Sequence, residues 1–350
     1  MKGERDAGLS PGGAALSPFT FHSSPVLVIQ TAFLGDVILT TPLLAALAEK
    51  HGPVDLVTTP AAATLVERHP AVREVIRYDK RGSDRGIAGF FRLVRLLRQR
   101  RYGRAYLPHR SWRSGALARL AGIAERIGFR DGSSLFYTSS VERPGAGHEV
   151  ERLLALAGPA REPAVSIPLE QEDRQEADRW LSANGIAGSF VALAPGSIWG
   201  TKRWPYYGEL AARLGGPVVV IGGKEDRALG DAIVATSGGR ARNAAGALSL
   251  RGSAAVIARA RLLVTNDSAP LHMATAAGTP IVAVFGPTLP SFGFGPRGPH
   301  DRIVEHDHLP CRPCSAHGPE VCPLGHHRCM RELGVEQVFQ AVESMNRGNP

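Results

Sequence analysis

The chain has 350 residues, 43% of them hydrophobic, with 41 Lys plus Arg against 32 Asp plus Glu and a net charge of +9. That composition excludes a disordered tail protein, and the length predicts two domains, each able to bury its own core. No apolar run approaches the ~20 residues that crossing a bilayer requires, so a soluble or peripheral protein is expected. The charge is uneven: residues 73–130 hold 16 Lys or Arg and 4 acids, a local balance of +12, leaving −3 for the rest. A localised basic field suits an anionic partner, although a solvated Arg-rich surface gives the same count.

In chain order, residues 1–24 mix charges with Gly, Ser and Pro and read as a flexible extension, without the apolar core of a signal peptide. A buried strand is predicted at 26–30, then a turn, then an apolar helix over 37–48. Short apolar runs at 54–59, 72–78, 105–108 and 126–129 alternate with helical patterns, which predicts a parallel sheet with helices on both faces. The Gly, Pro and Ala content of 157–168 marks a linker. A second series follows, with strands at 190–194, 217–221, 262–265 and 281–285 and helices near 206–214, 225–236, 253–261 and 270–277. Two doubly wound halves imply a cleft, and ligands in such sheets sit beyond the carboxyl ends of the strands.

Four loops leave those ends. Gly35-Asp36 lies between the first strand and its helix. Asp36 is either a helix N-cap or a general base pointing into the cleft, with Gly35 allowing close backbone approach to a substrate. Residues 195–205 place Ser197, Thr201 and Lys202 among two glycines, either a phosphate cradle or an ordinary surface turn. It is not a Walker loop, because the G-x-x-x-x-G-K-[ST] spacing is absent. In Gly222-Gly223-Lys224-Glu225-Asp226 an acid is placed to take ribose hydroxyls, or simply to face a helix N-terminus. The fourth loop runs Thr265-Asn266-Asp267-Ser268-Ala269-Pro270-Leu271-His272. Asp267 or Ser268 would cap a helix opened by Pro270, whose free N–H groups and positive dipole end suit a phosphate. His272, one turn beyond Ser268, would add a hydrogen bond to the same anion.

Taken together, FLGDVILTTPLLAAL, APGSIWGTKRWP, GGKED and TNDSAPLHMATAAGTPIVAVFGPT resemble the signature of glycosyltransferase family 9, the ADP-heptose:lipopolysaccharide heptosyltransferases. The tail CRPCSAHGPEVCPLGHHRCM is similar to that of the heptosyltransferase II subgroup. The resemblance implies an α/β GT-B fold, two Rossmann-like doubly wound domains facing a central cleft. The acceptor would bind on the N-terminal domain (25–165) and the nucleotide sugar on the C-terminal domain (166–350). It implies inverting transfer of L-glycero-D-manno-heptose from ADP-heptose to the first heptose of the lipopolysaccharide inner core, with no cofactor required for catalysis. Asp36 would be the base. Lys202 with the Ser268 and Ala269 N–H groups would hold the diphosphate beside His272; Glu225 would hold the ribose, and Asp267 would lie near sugar or phosphates. Ser197 and Thr201 complete the expected donor site, with Gly35, Arg110 and Arg113 on the acceptor side. Another inner-core step, or a GT-B epimerase or hydrolase, is the alternative.

On that reading the basic region would meet a lipid A-Kdo-heptose acceptor at the cytoplasmic face of the inner membrane. Residues 87–101 carry apolar side chains at 87, 90, 91, 94 and 97 with Arg92, Arg95 and Arg98 on another face. Such a helix either lies on the membrane or packs its stripe on its own sheet. Cys311, Cys314, Cys322 and Cys329, in the Cys-rich segment 311–329, are either a structural Zn site or packed cytosolic thiols. Nucleic acid is not an expected partner: no zinc finger or RRM signature is present, and aromatic residues are only 6%, few for base stacking.

Overall fold

The computed structural model describes residues 24–130 and 133–346. The extension expected over 1–24 therefore lies, except for Ser24, outside the described residues. The first series runs β1 (Val26–Ile29), α1 (Leu34–His51), β2 (Val54–Thr58), α2 (Pro60–Val66), β3 (Val72–Arg77), α3 (Gly86–Arg100), β4 (Arg104–Leu107), α4 (Trp112–Leu120), β5 (Glu125–Phe129), β6 (Ser139–Val141) and α5 (Glu149–Leu154). The second runs α6 (Gln171–Ala183), β7 (Val191–Ala194), α7 (Tyr207–Arg213), β8 (Val218–Val220), α8 (Arg227–Thr236), β9 (Ala241–Asn243), α9 (Leu250–Arg259), β10 (Leu262–Asn266), α10 (Ala269–Ala277), β11 (Ile281–Phe285), β12 (Arg302–Glu305), α11 (Arg328–Arg331) and α12 (Val335–Asn346).

All strand pairs are parallel, in the orders β3-β2-β1-β4-β5-β6 and β12-β11-β10-β7-β8-β9. Each sheet thus reverses direction of winding beside its first strand, β1 or β7, and opens a crevice at the carboxyl ends there. The central strands are apolar along their length because helices cover both faces; β1, β7, β10 and β11 are buried throughout. Short β6, β9 and β12, which the sequence did not single out, are flank or edge strands whose residues are partly exposed and so carry no continuous apolar run. Helix α6 carries no continuous apolar stripe, because only Asp173, Ala177 and Leu181 of its 13 residues are buried.

Helix α1 opens three residues earlier than expected, at Leu34, and runs through Pro42. Proline lacks the N–H that would satisfy the Ile38 carbonyl. The Thr41 hydroxyl donates to that carbonyl at 2.8 Å, which keeps the helix continuous.

The two halves are packed together. α1 lies against α10 and α2 against α9, and a single apolar cluster includes Leu44 and Leu65 from one side with Val256 and Leu271 from the other. Buried Arg251 clamps the join: it donates to both Asp173 oxygens at 2.9 and 2.5 Å, to the Pro168 carbonyl at 2.6 Å and to the Thr64 carbonyl of α2 at 3.1 Å. Such a planar fork is satisfied on several edges at once, which is how a buried guanidinium is tolerated.

Helix α3 decides part of the membrane question. Leu93, Val94 and Leu97 are buried on the sheet with Phe90 packed beside them, whereas Ile87 and Phe91 are exposed at 77% and 55%. Most of the stripe is therefore core, and only its N-terminal end is open. Among the described residues no helix is long and apolar enough to cross a membrane.

Inside the basic region, Asp55 of β2 is fully buried and accepts from Arg73 at 2.8 and 2.7 Å and from the Tyr102 hydroxyl at 2.5 Å. Asp55→Ala would strand the buried Tyr102 hydroxyl and is expected to cost about 2–3 kcal/mol, discounted because Arg73 reaches solvent. Glu74→Ala, which breaks an exposed pair with Arg100, is expected to cost less than about 1 kcal/mol. Urea unfolding of both variants separates the two; equal losses would mean that the Asp55 network carries no special weight.

Candidate active site

The loops after β1, β7, β8 and β10 converge on one cleft of about 750 Å³ between the halves. Gly35, Asp36, Ser197, Lys202, Glu225, Asp267, Ser268, Ala269 and His272 all line it. The sequence-predicted set is therefore brought together, with three exceptions. Thr201 is buried and gives its hydroxyl to the Pro319 carbonyl, so it faces the tail behind the loop and does not line the cleft. Arg110 is exposed outside the cleft, and Arg113 lines a second, smaller cavity.

Asp36 is not an N-cap. Phe33 occupies that position with an extended backbone, and Asp36, three residues on, accepts from the Phe33 N–H at 3.1 Å. The carboxylate is thereby held at the start of α1, where the dipole favours it. Burial nonetheless dominates: it pushes the Asp36 pKa up to about 6, with Glu149 adding repulsion and Arg143 opposing it. Glu149, buried at the start of α5 and paired with Arg143, carried no signal in sequence, since only the fold brings α5 against α1.

Lys202 lines the same cleft from the other half. It is 8% exposed, and its ammonium donates to Asp267 at 2.5 Å; Asp267 also accepts from the Thr288 hydroxyl at 2.7 Å. Thr288 was legible only as part of the FGPT stretch after β11. The loop bearing Lys202 is fixed by Asn266, whose side-chain oxygen accepts from the Trp204 N–H at 3.2 Å and the Tyr207 hydroxyl at 3.1 Å while its amide donates to the Pro195 carbonyl at 2.8 Å. The middle of the loop is braced from behind, where His327 bonds the Thr201 carbonyl at 2.8 Å.

Helix α10 begins at Ala269 after Ser268, whose backbone is extended as a cap requires; its hydroxyl makes no capping bond. The first N–H groups of α10 are thus left to face the cleft beside Pro270. His272 is buried, burial lowers its pKa to about 4, and its Nδ1 has no partner. The imidazole is therefore neutral, and its unpartnered Nδ1 is shut off from solvent. Its ring lies against Gly35, where an added Cβ would come within 2.6 Å of Cδ2. At one rim Phe33 packs edge-on against Trp199 and His317, and at the other Arg152 donates to the Phe292 carbonyl at 2.6 Å and His148 bonds the Gly295 carbonyl at 3.1 Å. These rim residues come from segments far apart in sequence and had no local signature.

Cys311, Cys314 and Cys322 are half-buried and Cys329 is buried; all four are free thiols. Burial, joined by the neighbouring thiols, raises the pKa of Cys314 and takes that of Cys329 to about 11, so both are protonated. Among the described residues no group of three or more His, Cys, Asp or Glu side chains is arranged to hold a metal ion.

The family model described as glycosyltransferase family 9 (heptosyltransferase) matches residues 90–322. The chain is 29% identical over 292 residues to lipopolysaccharide heptosyltransferase 2 of Escherichia coli K12, covering 76% of this chain and 84% of that protein. It is 30% identical over 341 residues to lipopolysaccharide heptosyltransferase 1 of Pseudomonas aeruginosa, covering 89% and 92%. The crystal structure of the family 9 glycosyl transferase of Veillonella parvula matches with a TM-score of 0.83 at 25% identity, over 93% of this chain and 98% of that one. The two facing doubly wound sheets are thus the GT-B arrangement.

The raised pKa of Asp36 has a consequence for stability. A carboxyl whose folded pKa lies above its unfolded value binds its proton more tightly when folded, so ionisation destabilises the protein progressively from about pH 3.8 to 6 and fully above that. Asp36→Asn is expected to stabilise the chain at pH 8 by up to about 3 kcal/mol, the gain vanishing toward pH 4. Unfolding midpoints across that range check it; a variant less stable than the parent at pH 8 would show that the carboxylate is not strained.

Proposed function

The chain belongs to glycosyltransferase family 9, and from that premise we propose that it transfers L-glycero-D-manno-heptose from ADP-heptose to the first heptose of the lipopolysaccharide inner core, with inversion. The observation that carries this reading is the meeting, in one cleft, of a buried carboxylate from one half with a lysine and an open helix N-terminus from the other.

The chemistry asks for those groups. Cleavage of the anomeric bond develops positive charge on the sugar and negative charge on the leaving diphosphate. Lys202 and the backbone N–H groups of Ser268 and Ala269 at the start of α10 would take the diphosphate, with His272 beside them. Asp267 would hold the Lys202 ammonium at the cleft floor, and Thr288 would hold Asp267. Glu225 would accept from the ribose hydroxyls, with Ser197 beside it. Because the chain's own cations and dipoles would offset the leaving charge, the proposed step draws on no cofactor.

Asp36 would take the proton of the acceptor hydroxyl. A carboxylate with a pKa of about 6 is a stronger base than an exposed one and is still ionised at neutral pH. On the acceptor side Gly35 would shape the floor, while Arg110 and Arg113 would face a lipid A-Kdo-heptose glycan. The protein would work at the cytoplasmic face of the inner membrane, with the open Ile87 and Phe91 end of α3 nearest the lipid. Similarity to both heptosyltransferase 1 and heptosyltransferase 2 supports the reaction class; the second-heptose step rests on the Cys-rich tail and the match to heptosyltransferase 2.

The test is ADP release from ADP-heptose with and without Kdo-lipid A already bearing one heptose. Release that depends on that acceptor, falls away below about pH 6 and drops at least ~100-fold in Asp36→Asn is expected. Release without acceptor, or near-parental turnover in Asp36→Asn, would contradict the assignment.

A further inference from the structure

The Cys-rich tail reaches the cleft with a side chain that the transfer chemistry leaves unused. Its turn at 314–320 is fastened to the Lys202 loop and to the turn after β11. The Pro319 carbonyl accepts the Thr201 hydroxyl and, at 3.4 Å, the Thr201 N–H. The Glu320 carboxylate accepts the Gly200 N–H at 3.3 Å, and the Cys314 N–H donates to the Pro287 carbonyl at 3.0 Å. Gly318 is buried within this turn with φ at +79°. A Cβ there would come within 3.1 Å of Pro287 and 3.4 Å of the Lys202 Cε, so the turn lies this close to the lysine stem only with glycine. The preceding residue, His317, is thereby fixed at the mouth of the cleft.

There His317 meets one ring from each half. Its imidazole stacks on Trp199 with 6.5 Å between ring centres and 10° between planes, and Phe33 stands edge-on to the two at 5.8 and 6.3 Å. All three rings line the cleft together with Ile198, which is 63% exposed, so an apolar surface faces water at the entrance. Packing does not account for it, because none of the three is buried and none joins an apolar core cluster. Among the described residues the Trp199 Nε1 and both His317 ring nitrogens have no hydrogen-bond partner; the bonds of these two residues run through their backbones.

Rings of this kind suit a sugar. The face of an aromatic ring is negative, and a pyranose presents weakly positive C–H groups on its own face with hydroxyls around its edge. It can lie on such a ring while its hydroxyls reach the free nitrogens. The position decides which sugar. Phe33 is tied to the base itself, since its N–H donates to the Asp36 carboxylate at 3.1 Å. Lys202 and Asp267 are buried at the cleft floor, whereas Trp199 is half-buried and His317 exposed. A sugar that gives its hydroxyl proton to Asp36 would lie against these rings, with the donor diphosphate beneath it.

We propose that Phe33, Trp199 and His317 form a stacking platform for the pyranose ring of the acceptor, so that the Cys-rich tail takes part in acceptor selection through His317. The proposal rests on the transferase reading above. Because Phe33 comes from one half and the other two rings from the second, the platform is whole only where the halves meet. A sugar laid on it is aligned by the same contact that brings the base toward the diphosphate groups.

The experiment measures transfer from ADP-heptose to Kdo-lipid A bearing one heptose, with donor and acceptor varied separately, for the parent, His317→Ala, Trp199→Ala and His317→Phe. Each alanine variant is expected to raise the acceptor KM at least ~5-fold, the scale of one lost ring contact, while the ADP-heptose KM stays within about two-fold of the parent. His317→Phe, which restores a ring, is expected to recover most of that loss. The proposal is overturned by an acceptor KM within about two-fold of the parent in either alanine variant, by a donor KM that rises as much as the acceptor KM, or by a His317→Phe chain no better than His317→Ala. If the parent transfers to no acceptor, the transferase reading fails by itself. The platform is then tested by saturation-transfer NMR of the parent and His317→Ala chains with methyl mannopyranoside at up to about 50 mM. Transfer to the ring C–H protons that is lost in the variant upholds a pyranose platform; no transfer, or equal transfer in both chains, overturns it.

Discussion

At residue 35 even a methyl group would lie 2.6 Å from the Cδ2 of His272, so the first turns of α1 and α10 meet as closely as they do because that position is Gly. This approach brings the base-bearing end of one doubly wound half to the anion-facing end of the other. Asp36 follows directly in sequence, and His272 lies one turn into α10, so both are placed by the same contact. The burial that raises the Asp36 pKa has its source here as well, since an open cleft would leave that carboxylate in water.

The second half is built to hold its own charges still. Asn266, at the end of β10, uses its side chain to fasten the Lys202 loop to α7, while its neighbour Asp267 receives the Lys202 ammonium. A buried ion pair is expensive to desolvate and is retained where fixed geometry matters. The tail after β12 contributes from behind: the Pro319 carbonyl takes the Thr201 hydroxyl and His327 takes the Thr201 carbonyl. A segment distinguished in sequence by its cysteines thus acts on the cleft through backbone and imidazole contacts.

Much of the architecture was legible because parallel strands covered on both faces must be apolar throughout, and β1, β7, β10 and β11 are. Strand-adjacent loops then located Asp36, Lys202, Asp267 and His272 without any knowledge of their distances. The misses share one cause. β6, β9 and β12 lie at or near sheet edges, and Glu149, Thr288, Phe33 and His317 matter only through partners remote in sequence. Thr201 turns its hydroxyl to the Pro319 carbonyl, and a hydroxyl next to Lys202 gives no sign in sequence of which side of the loop it faces. The helix stripe at 87–97 was ambiguous for the opposite reason: its two ends have different fates, packed at Val94 and Leu97 and open at Ile87 and Phe91.

The initial surplus of positive charge also resolves into parts. Several arginines of the 73–130 region are spent on Asp55, Glu67, Glu74, Asp84 and Glu125, whereas among the described residues Lys80 and Arg113 have no carboxylate within ion-pair distance. The central claim is that catalysis requires the two halves to meet at Gly35 and His272. Gly35→Ala tests it most directly, with turnover of ADP-heptose measured beside ADP affinity. The account predicts turnover reduced on the order of 100-fold with ADP affinity lowered far less, because the methyl displaces the base while, of the groups assigned to the diphosphate, it presses on His272 alone. Near-parental turnover in Gly35→Ala would contradict it.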